Sequence, residues 1–169
     1  MELYLERLRQ QDAPELYAFE CENREFFETM VPGRGEEYFQ YDFFLERHRS
    51  LLEEQSQGLS FFFLIKNQSG DILGRVNLVD IDAGNGIGHL GYRVGEAYIG
   101  QGVAAMSLKL LMKDISKYHI RIIHAKTTAD NIPSQKVLLR NGFLLKKIDD
   151  GTESGTEFLH YCWRDPSDQ

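Results

Sequence analysis

Three consecutive segments in the middle of the chain have the hydrophobic pattern of β-strands, and short polar or glycine-bearing stretches separate them. Bulky apolar residues fill the first segment, and apolar residues alternate with others along the second. A period of two is typical of strands, and short turn sequences between them are typical of hairpins. The predicted strands cover 60–65, 72–78 and 87–94. The middle of the chain is therefore predicted to be an antiparallel meander.

Other segments place apolar residues three and four positions apart, which is the spacing of one helix face. Helices are predicted to begin near Asp12 and to cover 36–57, 103–118 and 131–141. The residues predicted to share one face of the second helix are Tyr38, Tyr41, Leu45 and Leu52. Further strands are predicted at 3–8, 120–127, 143–148 and 157–163. The order β-α-α-β-β-β-α-β-α-β-β predicts an α/β protein with a mixed sheet and about four helices.

Length and composition predict one soluble domain covering 1–169. Hydrophobic residues make up 42% of the 169, and domains usually run to ~100–200 residues. The longest apolar run, 61–65, is far shorter than the ~20 residues that span a bilayer. The N-terminus lacks the order of a signal peptide, and two distant cysteines do not suggest a disulfide framework. We therefore expect a cytoplasmic protein without a membrane partner.

The formal net charge of −7 bears on the possible partners. Nucleic acid is not expected as the main partner, because phosphate binding requires a basic face. An acidic protein is compatible with a cationic substrate such as an amine, although many soluble cytoplasmic proteins are acidic.

A loop with three glycines, 95–102, joins a predicted strand to a predicted helix. Gly100 and Gly102 would let the backbone approach a ligand closely. The first N–H groups of the helix have no intrahelical partner, and the helix dipole adds partial positive charge. These features together can bind a pyrophosphate. A simple turn is the alternative interpretation of the same glycines.

Two phosphate-binding motifs can be compared with this loop. The P-loop requires Gly-Lys followed by Ser or Thr, whereas Val103 and Ala104 follow Gly102 here. The dinucleotide motif G-x-G-x-x-G/A matches Gly100, Gly102 and Ala105. That motif follows directly on a parallel strand, whereas a further segment separates strand and glycine here, and the preceding strands are predicted to form hairpins. A nucleotide-dependent oxidoreductase is therefore the less favoured alternative.

Several segments match, in order and spacing, the motifs of one enzyme family. The acetyl-CoA motif of that family is Arg or Gln, two residues, Gly, one residue, then Gly or Ala. The matching residues and segments are Ile99, Gly102, Ala104, Gly91-Tyr92-Arg93-Val94, Asn131-x-x-Ser134 and Gly142-Phe143. Nearly the whole chain thereby resembles the GNAT acetyltransferases, specifically the ribosomal-protein N-terminal (alanine/serine) acetyltransferase group. Ile99 departs from Arg or Gln, but that group often carries a bulky apolar residue there.

The resemblance implies a GNAT fold, with a mixed, mostly antiparallel seven-stranded sheet that splays in the middle. Acetyl-CoA would lie in the gap between the strand ending at Val94 and the strand at 120–127. The residues implied in cofactor binding are Val94, Ile99, Gly100, Gln101, Gly102, Val103, Ala104 and Asn131. Asn131 could equally be a helix cap. The resemblance implies no metal.

A base would help acetyl transfer to an amine, because amines are mostly protonated at neutral pH. The departing thiolate in turn needs a proton or a hydrogen-bond donor. By resemblance, Ser134 is the candidate donor, and the alternative is a first-turn serine that binds backbone. Many GNAT enzymes use a tyrosine four residues later, where Leu138 stands here. His89 is the candidate base, since neutral imidazole suits that role; a structural histidine is the alternative.

The remaining candidates are weaker. His160 and Tyr161 lie on a late strand that borders the acceptor site in the family, and structural roles are favoured for both. Cys21 and Cys162 could suggest a covalent acyl-enzyme, but no partner histidine is identifiable and direct transfer needs no nucleophile. The predicted loop residues that could shape specificity are Phe26, Phe27, Pro32 and Arg34.

We therefore predict an acetyl-CoA-dependent N-acetyltransferase, a monomer or homodimer, that acts by direct attack of a primary amine. The resemblance favours a protein N-terminal α-amine as acceptor. A small amine or polyamine is the next hypothesis, and a non-catalytic acyl-CoA-binding module is another.

Overall fold

Seven β-strands form one continuous sheet in the computed structural model, which describes residues 2–30, 33–153 and 155–168. The strands are β1 (Leu3–Arg7), β2 (Phe61–Asn67), β3 (Ile72–Asp82), β4 (Ile87–Val94), β5 (Ile122–Thr128), β6 (Leu144–Asp149) and β7 (Phe158–Arg164). Their spatial order is β1-β2-β3-β4-β5-β7-β6. Neighbours pair antiparallel except β4 and β5, which are parallel. The predicted mixed, mostly antiparallel sheet is confirmed.

Five α-helices flank the sheet within the described ranges, one more than predicted. They are α1 (Ala13–Glu22), α2 (Arg24–Glu28), α3 (Tyr41–Ser56), α4 (Val103–Asp114) and α5 (Ile132–Arg140). The additional helix is α2, which contains Phe26 and Phe27, so these residues lie on a helix rather than in the predicted loop. Asn23 separates α2 from α1, and its side-chain amide donates to the Phe19 carbonyl at 2.9 Å. None of the described helices is long and apolar enough to cross a membrane.

The segment predicted as one helix at 36–57 is divided in two. A 3-10 turn covers Glu36–Phe39, and the extended backbone of Gln40 separates it from α3. The buried residues of α3 are Phe44, His48 and Leu51. The predicted stripe is confirmed in part: Tyr38 is buried and Leu45 and Leu52 pack against the same core, whereas Tyr41 is 38% exposed. The break at Gln40 changes which positions share a face.

The sheet separates two hydrophobic cores. On β2, Phe63 and Ile65 face the core shared with α4, whereas Phe62 and Leu64 face the core shared with α1 and α3. A strand buried on both faces has a continuous apolar run instead of alternation, which explains the sequence at 61–65. Below, the side with α4 is called the α4–α5 face, and the side with α1, α2 and α3 is called the α1–α2 face.

The parallel pair is short, and the two strands diverge beyond it. The register runs from Ile87 opposite Ile122 to Leu90 opposite Ala125. Beyond this point β4 continues to Val94 and β5 continues to Thr128, without further residue pairs between them in the register. The predicted gap between these strands is therefore present, and α4 lies in the connection that joins them.

Candidate active site

A cleft of about 470 Å³ occupies the gap between β4 and β5. Its walls come from both faces of the sheet. The lining on the α4–α5 face includes Tyr92, Val94, Ala104, Ser134 and Val137. The lining contributed by α1–α2, the loop after them and the opposite face includes Phe26, Phe27, Met30, Arg34, Asn77 and Arg93. A reactive group can therefore be approached from two sides.

The glycine loop lies at one rim of the cleft. Gly100 and Gly102 have φ values of 74° and 77°, in the left-handed region that favours glycine. The space where a Cβ would stand is open at both residues, with no heavy atom within 4 Å. The Met106 N–H donates to the Gly102 carbonyl at 3.0 Å, so the N–H groups before it in the first turn of α4 have no acceptor within the helix. This geometry fits the phosphates of a coenzyme.

The other predicted residues of the loop contribute in different ways. Ile99 is 51% exposed and lines the cleft together with Ala104. The Val103 side chain is buried at the base of α4, so its backbone is the part that can meet a ligand. The Gln101 side-chain amide donates to the Ala97 carbonyl at 3.2 Å, which holds the loop to the preceding 3-10 turn.

Val94 presents backbone groups to the cleft. The Gly95 N–H donates to the Leu73 carbonyl on β3 at 2.8 Å. Successive N–H groups of a strand point in opposite directions in the plane of the sheet, so the Val94 N–H points away from β3. That direction is the gap left by β5, which is where the arm of acetyl-CoA is expected.

Ser134 and Asn131 lie together at the start of α5. The Asn131 side-chain oxygen accepts from the Ser134 N–H at 3.2 Å, so Asn131 is the helix cap. The Ser134 hydroxyl is 2.7 Å from the Tyr92 hydroxyl, and either group can donate. This contact distinguishes Ser134 from a first-turn serine whose hydroxyl serves only the helix backbone.

Tyr92 was not singled out from the sequence as a functional residue. Its position on β4 has the same parity as Leu90 and Val94, so its ring lies on the α4–α5 face. Burial raises the pKa of the Tyr92 hydroxyl, and the hydrogen bond with Ser134 acts in the opposite direction. The phenol therefore remains protonated at neutral pH. The parity of a strand beside the glycine loop is the sequence feature that could have identified it.

His89 lies apart from this group. It is exposed on the paired part of β4, and its ring centroid is 5.4 Å from that of His124 on β5. Alternation along β4 places His89 on the same face as Gly91 and Arg93. It does not belong to the lining of the cleft among the described residues. Two residues of a strand span about 7 Å, so His89 is about that far from Gly91 at the cleft.

A buried carboxylate organises the α1–α2 side of the cleft. Glu20 on α1 is 1% exposed, and its Oε1 accepts from the Arg75 guanidinium at 2.6 Å. Two further guanidinium groups lie near the same carboxylate, those of Arg93 at 3.7 Å and Arg34 at 3.8 Å. One negative charge therefore faces three positive charges.

Among the weaker candidates, Phe26, Phe27 and Arg34 line the cleft, whereas the histidine, the tyrosine and the two cysteines do not belong to its described lining. His160 lies on β7 opposite Lys126, and Tyr161 is buried in the core. Cys21 is exposed on α1, whereas Cys162 is buried in the sheet. Pro32 lies outside the described residues.

Comparison with known proteins identifies the family. The family described as Acetyltransferase (GNAT) domain matches residues 2–144. The chain is 27% identical over 145 residues to the probable N-acetyltransferase YjcK of Bacillus subtilis (strain 168), which covers 83% of this chain and 80% of the relative. It is 28% identical over 110 residues to the ribosomal-protein-serine acetyltransferase of Escherichia coli (strain K12), which covers 64% of this chain and 59% of that relative.

Solved structures share the fold. RimL, a ribosomal L7/L12 alpha-N-protein acetyltransferase solved in complex with coenzyme A, superposes with a TM-score of 0.87 at 22% identity. The superposition covers 96% of this chain and 94% of RimL. The family match extends over most of the sequence and includes the glycine loop, β4 and β5. The chain therefore belongs to the GNAT acetyltransferases and is an acetyl-CoA-dependent N-acetyltransferase.

Proposed function

We propose that this enzyme acetylates the α-amine of a protein N-terminus, by direct attack of the amine and without a covalent enzyme intermediate. The observation that carries the proposal is the cleft that opens to both faces of the sheet, with Tyr92 and Ser134 hydrogen-bonded at its centre. The name of the serine acetyltransferase relative supports a protein acceptor. We also propose that residues 1–169 act as one domain in the cytoplasm.

The cofactor site is formed by the loop and by β4. Acetyl-CoA supplies the acetyl group as a thioester. The N–H groups at the start of α4 and the open backbone of Gly100 and Gly102 would hold its phosphates, and the Val94 backbone would hold its arm. The Asn131 side-chain oxygen Oδ1 already caps α5, so the side-chain nitrogen Nδ2 is the group left for a coenzyme.

The protons of the reaction are assigned to three side chains. The Tyr92–Ser134 pair holds a proton at the centre of the cleft, and we propose that the Ser134 hydroxyl donates its proton to the departing sulfur while the Tyr92 hydroxyl donates its own proton to Ser134. Solvent water then returns a proton to Tyr92. His89 is the proposed base. Because its ring stands outside the cleft lining, it would receive the proton of the amine through water.

The test uses the intact protein with acetyl-CoA, CoA and NAD in parallel thermal-shift titrations. A ligand that binds only the folded state stabilises it by about 2.7 kcal/mol at 100 times its Kd. We expect stabilisation by acetyl-CoA and CoA but not by NAD. Stabilisation by NAD alone would instead support the oxidoreductase hypothesis.

Acceptor class is tested by mass spectrometry after incubation with acetyl-CoA. The panel contains a peptide with a free N-terminus, the same peptide with a blocked N-terminus and one lysine, and spermidine. Acetylation of the free peptide alone is expected. Preferred acetylation of spermidine would contradict the proposal in favour of a polyamine acceptor. Binding of acetyl-CoA without any product would leave a non-catalytic module as the function.

A further inference from the structure

The α1–α2 side of the cleft is cationic although the whole chain carries a formal net charge of −7. The charged side chains in the cleft lining are Arg34, Arg93 and Lys126, and among the described residues that line it none is acidic. The local charge is thus opposite in sign to that of the protein. A cationic substrate would be repelled there, whereas an anionic group would be attracted.

The three arginines share one buried carboxylate, Glu20, which does not neutralise all of them. Arg75 takes the short contact to Glu20, at 2.6 Å. Arg93 and Arg34 approach the same carboxylate at 3.7 and 3.8 Å, beyond hydrogen-bond distance. Because one carboxylate balances one guanidinium, about two positive charges remain on this wall.

Both arginines at the cleft are held in place by aromatic rings. The Arg93 guanidinium carbon lies 4.6 Å from the centroid of the Phe27 ring. The Arg34 guanidinium carbon lies 4.6 Å from the centroid of the Tyr38 ring, and its Nη1 donates to the Tyr38 hydroxyl at 2.6 Å. Guanidinium groups fixed in this way can bind a carboxylate with little loss of side-chain entropy.

The environment of Arg93 balances its charge only in part, through the shared Glu20 carboxylate at 3.7 Å. Burial, followed by repulsion from Arg34, lowers the pKa of Arg93 to about 10. The guanidinium is therefore still charged at neutral pH. An incoming carboxylate would supply the negative charge that Glu20 shares among three neighbours.

A hydrogen-bond acceptor lies in the same cleft. Asn77 on β3 stands opposite Gly91 on β4, and its side-chain oxygen is buried without a hydrogen-bond partner among the described residues. Buried polar atoms are rarely left unpaired in folded proteins. Cross-strand pairing places Asn77 on the same face as Gly91 and Arg93. An amine N–H entering from the α1–α2 side could donate to this oxygen.

From these observations we propose that the preferred acceptor carries a carboxylate close to its amine, as in a peptide N-terminus followed by an aspartate. Arg93 and Arg34 bind the carboxylate, and the Asn77 oxygen accepts from the amine. This inference rests on the proposed function and specifies its substrate class. Free aspartate presents the same chemistry without a peptide, and the experiment distinguishes the two sources.

The preference is confined to the position next to the amine. A second hollow adjoins the cleft, sharing Met30, Thr128, Asn131 and Pro133 with it, and its lining includes the acidic residues Asp130 and Glu157. A carboxylate further along the acceptor chain would meet these acids instead of the arginines. The position of the carboxylate relative to the amine, and not the total charge of the peptide, should therefore determine which acceptor is preferred.

The experiment compares two peptides of identical composition, Ser-Asp-Ala-Ala-Asn-Ala and Ser-Asn-Ala-Ala-Asp-Ala. Their Kd for the CoA-saturated protein is measured by calorimetry, and kcat/KM is measured with acetyl-CoA. Hydrogen bonds to charged groups correspond to a factor of about 10–100, so we expect a preference of about that size for the first peptide. Arg93→Gln should remove the preference with unchanged acetyl-CoA affinity. Arg49→Gln, on the exposed face of α3, is the matched control.

The outcomes separate this inference from the proposed function. Equal Kd values for the two peptides would overturn the inference, whether or not either is acetylated. Preferential binding that Arg93→Gln abolishes, without any acetylated product, would support the inference and overturn the function. Free aspartate acetylated faster than the first peptide would overturn the assignment to a peptide N-terminus. A preference that survives Arg93→Gln and Arg34→Gln alike would overturn the role of the arginines.

Discussion

Tyr92 on β4 and Ser134 on α5 share a 2.7 Å hydrogen bond across the gap in which β4 and β5 diverge. If this pair delivers the proton to the departing sulfur, Ser134→Ala and Tyr92→Phe should each lower kcat by about 10²-fold. The affinity for acetyl-CoA should change little, because neither hydroxyl is assigned to the phosphates. Single-turnover kinetics and calorimetry measure the two quantities separately.

The double variant tests whether the two hydroxyls act as one unit. Residues that act together have non-additive effects, so Tyr92→Phe with Ser134→Ala should be little slower than the slower single variant. Ser50→Ala is the control, because the Ser50 hydroxyl on α3 donates to the Glu46 carbonyl and is exposed. Undiminished turnover in Ser134→Ala would remove Ser134 from the reaction.

Gly102→Ala should weaken acetyl-CoA binding at least tenfold, because a methyl group would stand in the open space through which the phosphates approach the backbone. The φ of Gly102 is 77°, so alanine also introduces strain of about 1–2 kcal/mol. Gly58→Ala is the matched control, with φ of 72° and equally open space at the end of α3. The acetyl-CoA affinities of both folded variants, measured by calorimetry, separate the effect of blocking the site from the effect of backbone strain. Equal loss of affinity in the two would contradict the placement of the cofactor.

Glu20→Gln should destabilise the fold by about 3–5 kcal/mol, since removing one partner of a buried ion pair leaves an uncompensated charge. Arg75 is 4% exposed, and its guanidinium would lose its 2.6 Å contact with the Glu20 carboxylate. Urea unfolding followed by circular dichroism gives the free energy of unfolding. Glu22→Gln is the control, since Glu22 is exposed two residues later on the same helix. Equal stability of the two variants would show that Arg75 finds another partner.

His89→Gln should lower kcat/KM by about tenfold or more if His89 relays the proton of the amine, because glutamine cannot take up that proton. The melting temperature should stay close to that of the parent, since His89 is exposed on β4. His119→Gln is the comparison at a distant position after α4. If kcat/KM of His89→Gln equals that of the parent across the neutral pH range, another group or bulk water deprotonates the amine.

The parts of the fold that sequence could predict are those with local causes. The turn between β2 and β3 and the strand at Ile87–Val94 were predicted closely, because polar turns and apolar alternation are visible in short stretches of sequence. The short helix α2 was missed because its N-cap residue, Asn23, makes no side-chain cap; its side-chain oxygen instead accepts from the distant Glu96 N–H, at 2.9 Å. The break before α3 was missed because Gln40 has extended backbone without a glycine or proline beside it that would mark a helix end.

The candidate site likewise contains features that a local motif predicts and contacts that no local motif predicts. The glycine loop and the start of α5 were predicted because their motifs are contiguous in the chain. Tyr92 and Ser134 are 42 positions apart, and Glu20 and Arg75 are 55 apart. Neither contact follows from a local pattern, because each depends on which strand face a helix covers. Charge summed over the chain also concealed the cationic wall of the cleft.

The single parallel pair has a consequence for how the chain folds. β1 to β4 and β5 to β7 are separate antiparallel units, joined through the short register between Ile87–Leu90 and Ile122–Ala125. Hairpins close over short loops and form within microseconds, whereas a parallel pair must wait for its crossover. The β2–β4 meander and the β6–β7 hairpin are therefore expected to form first, and β4 and β5 to pair after them. The substrate cleft would then take shape only after both hairpin units have formed.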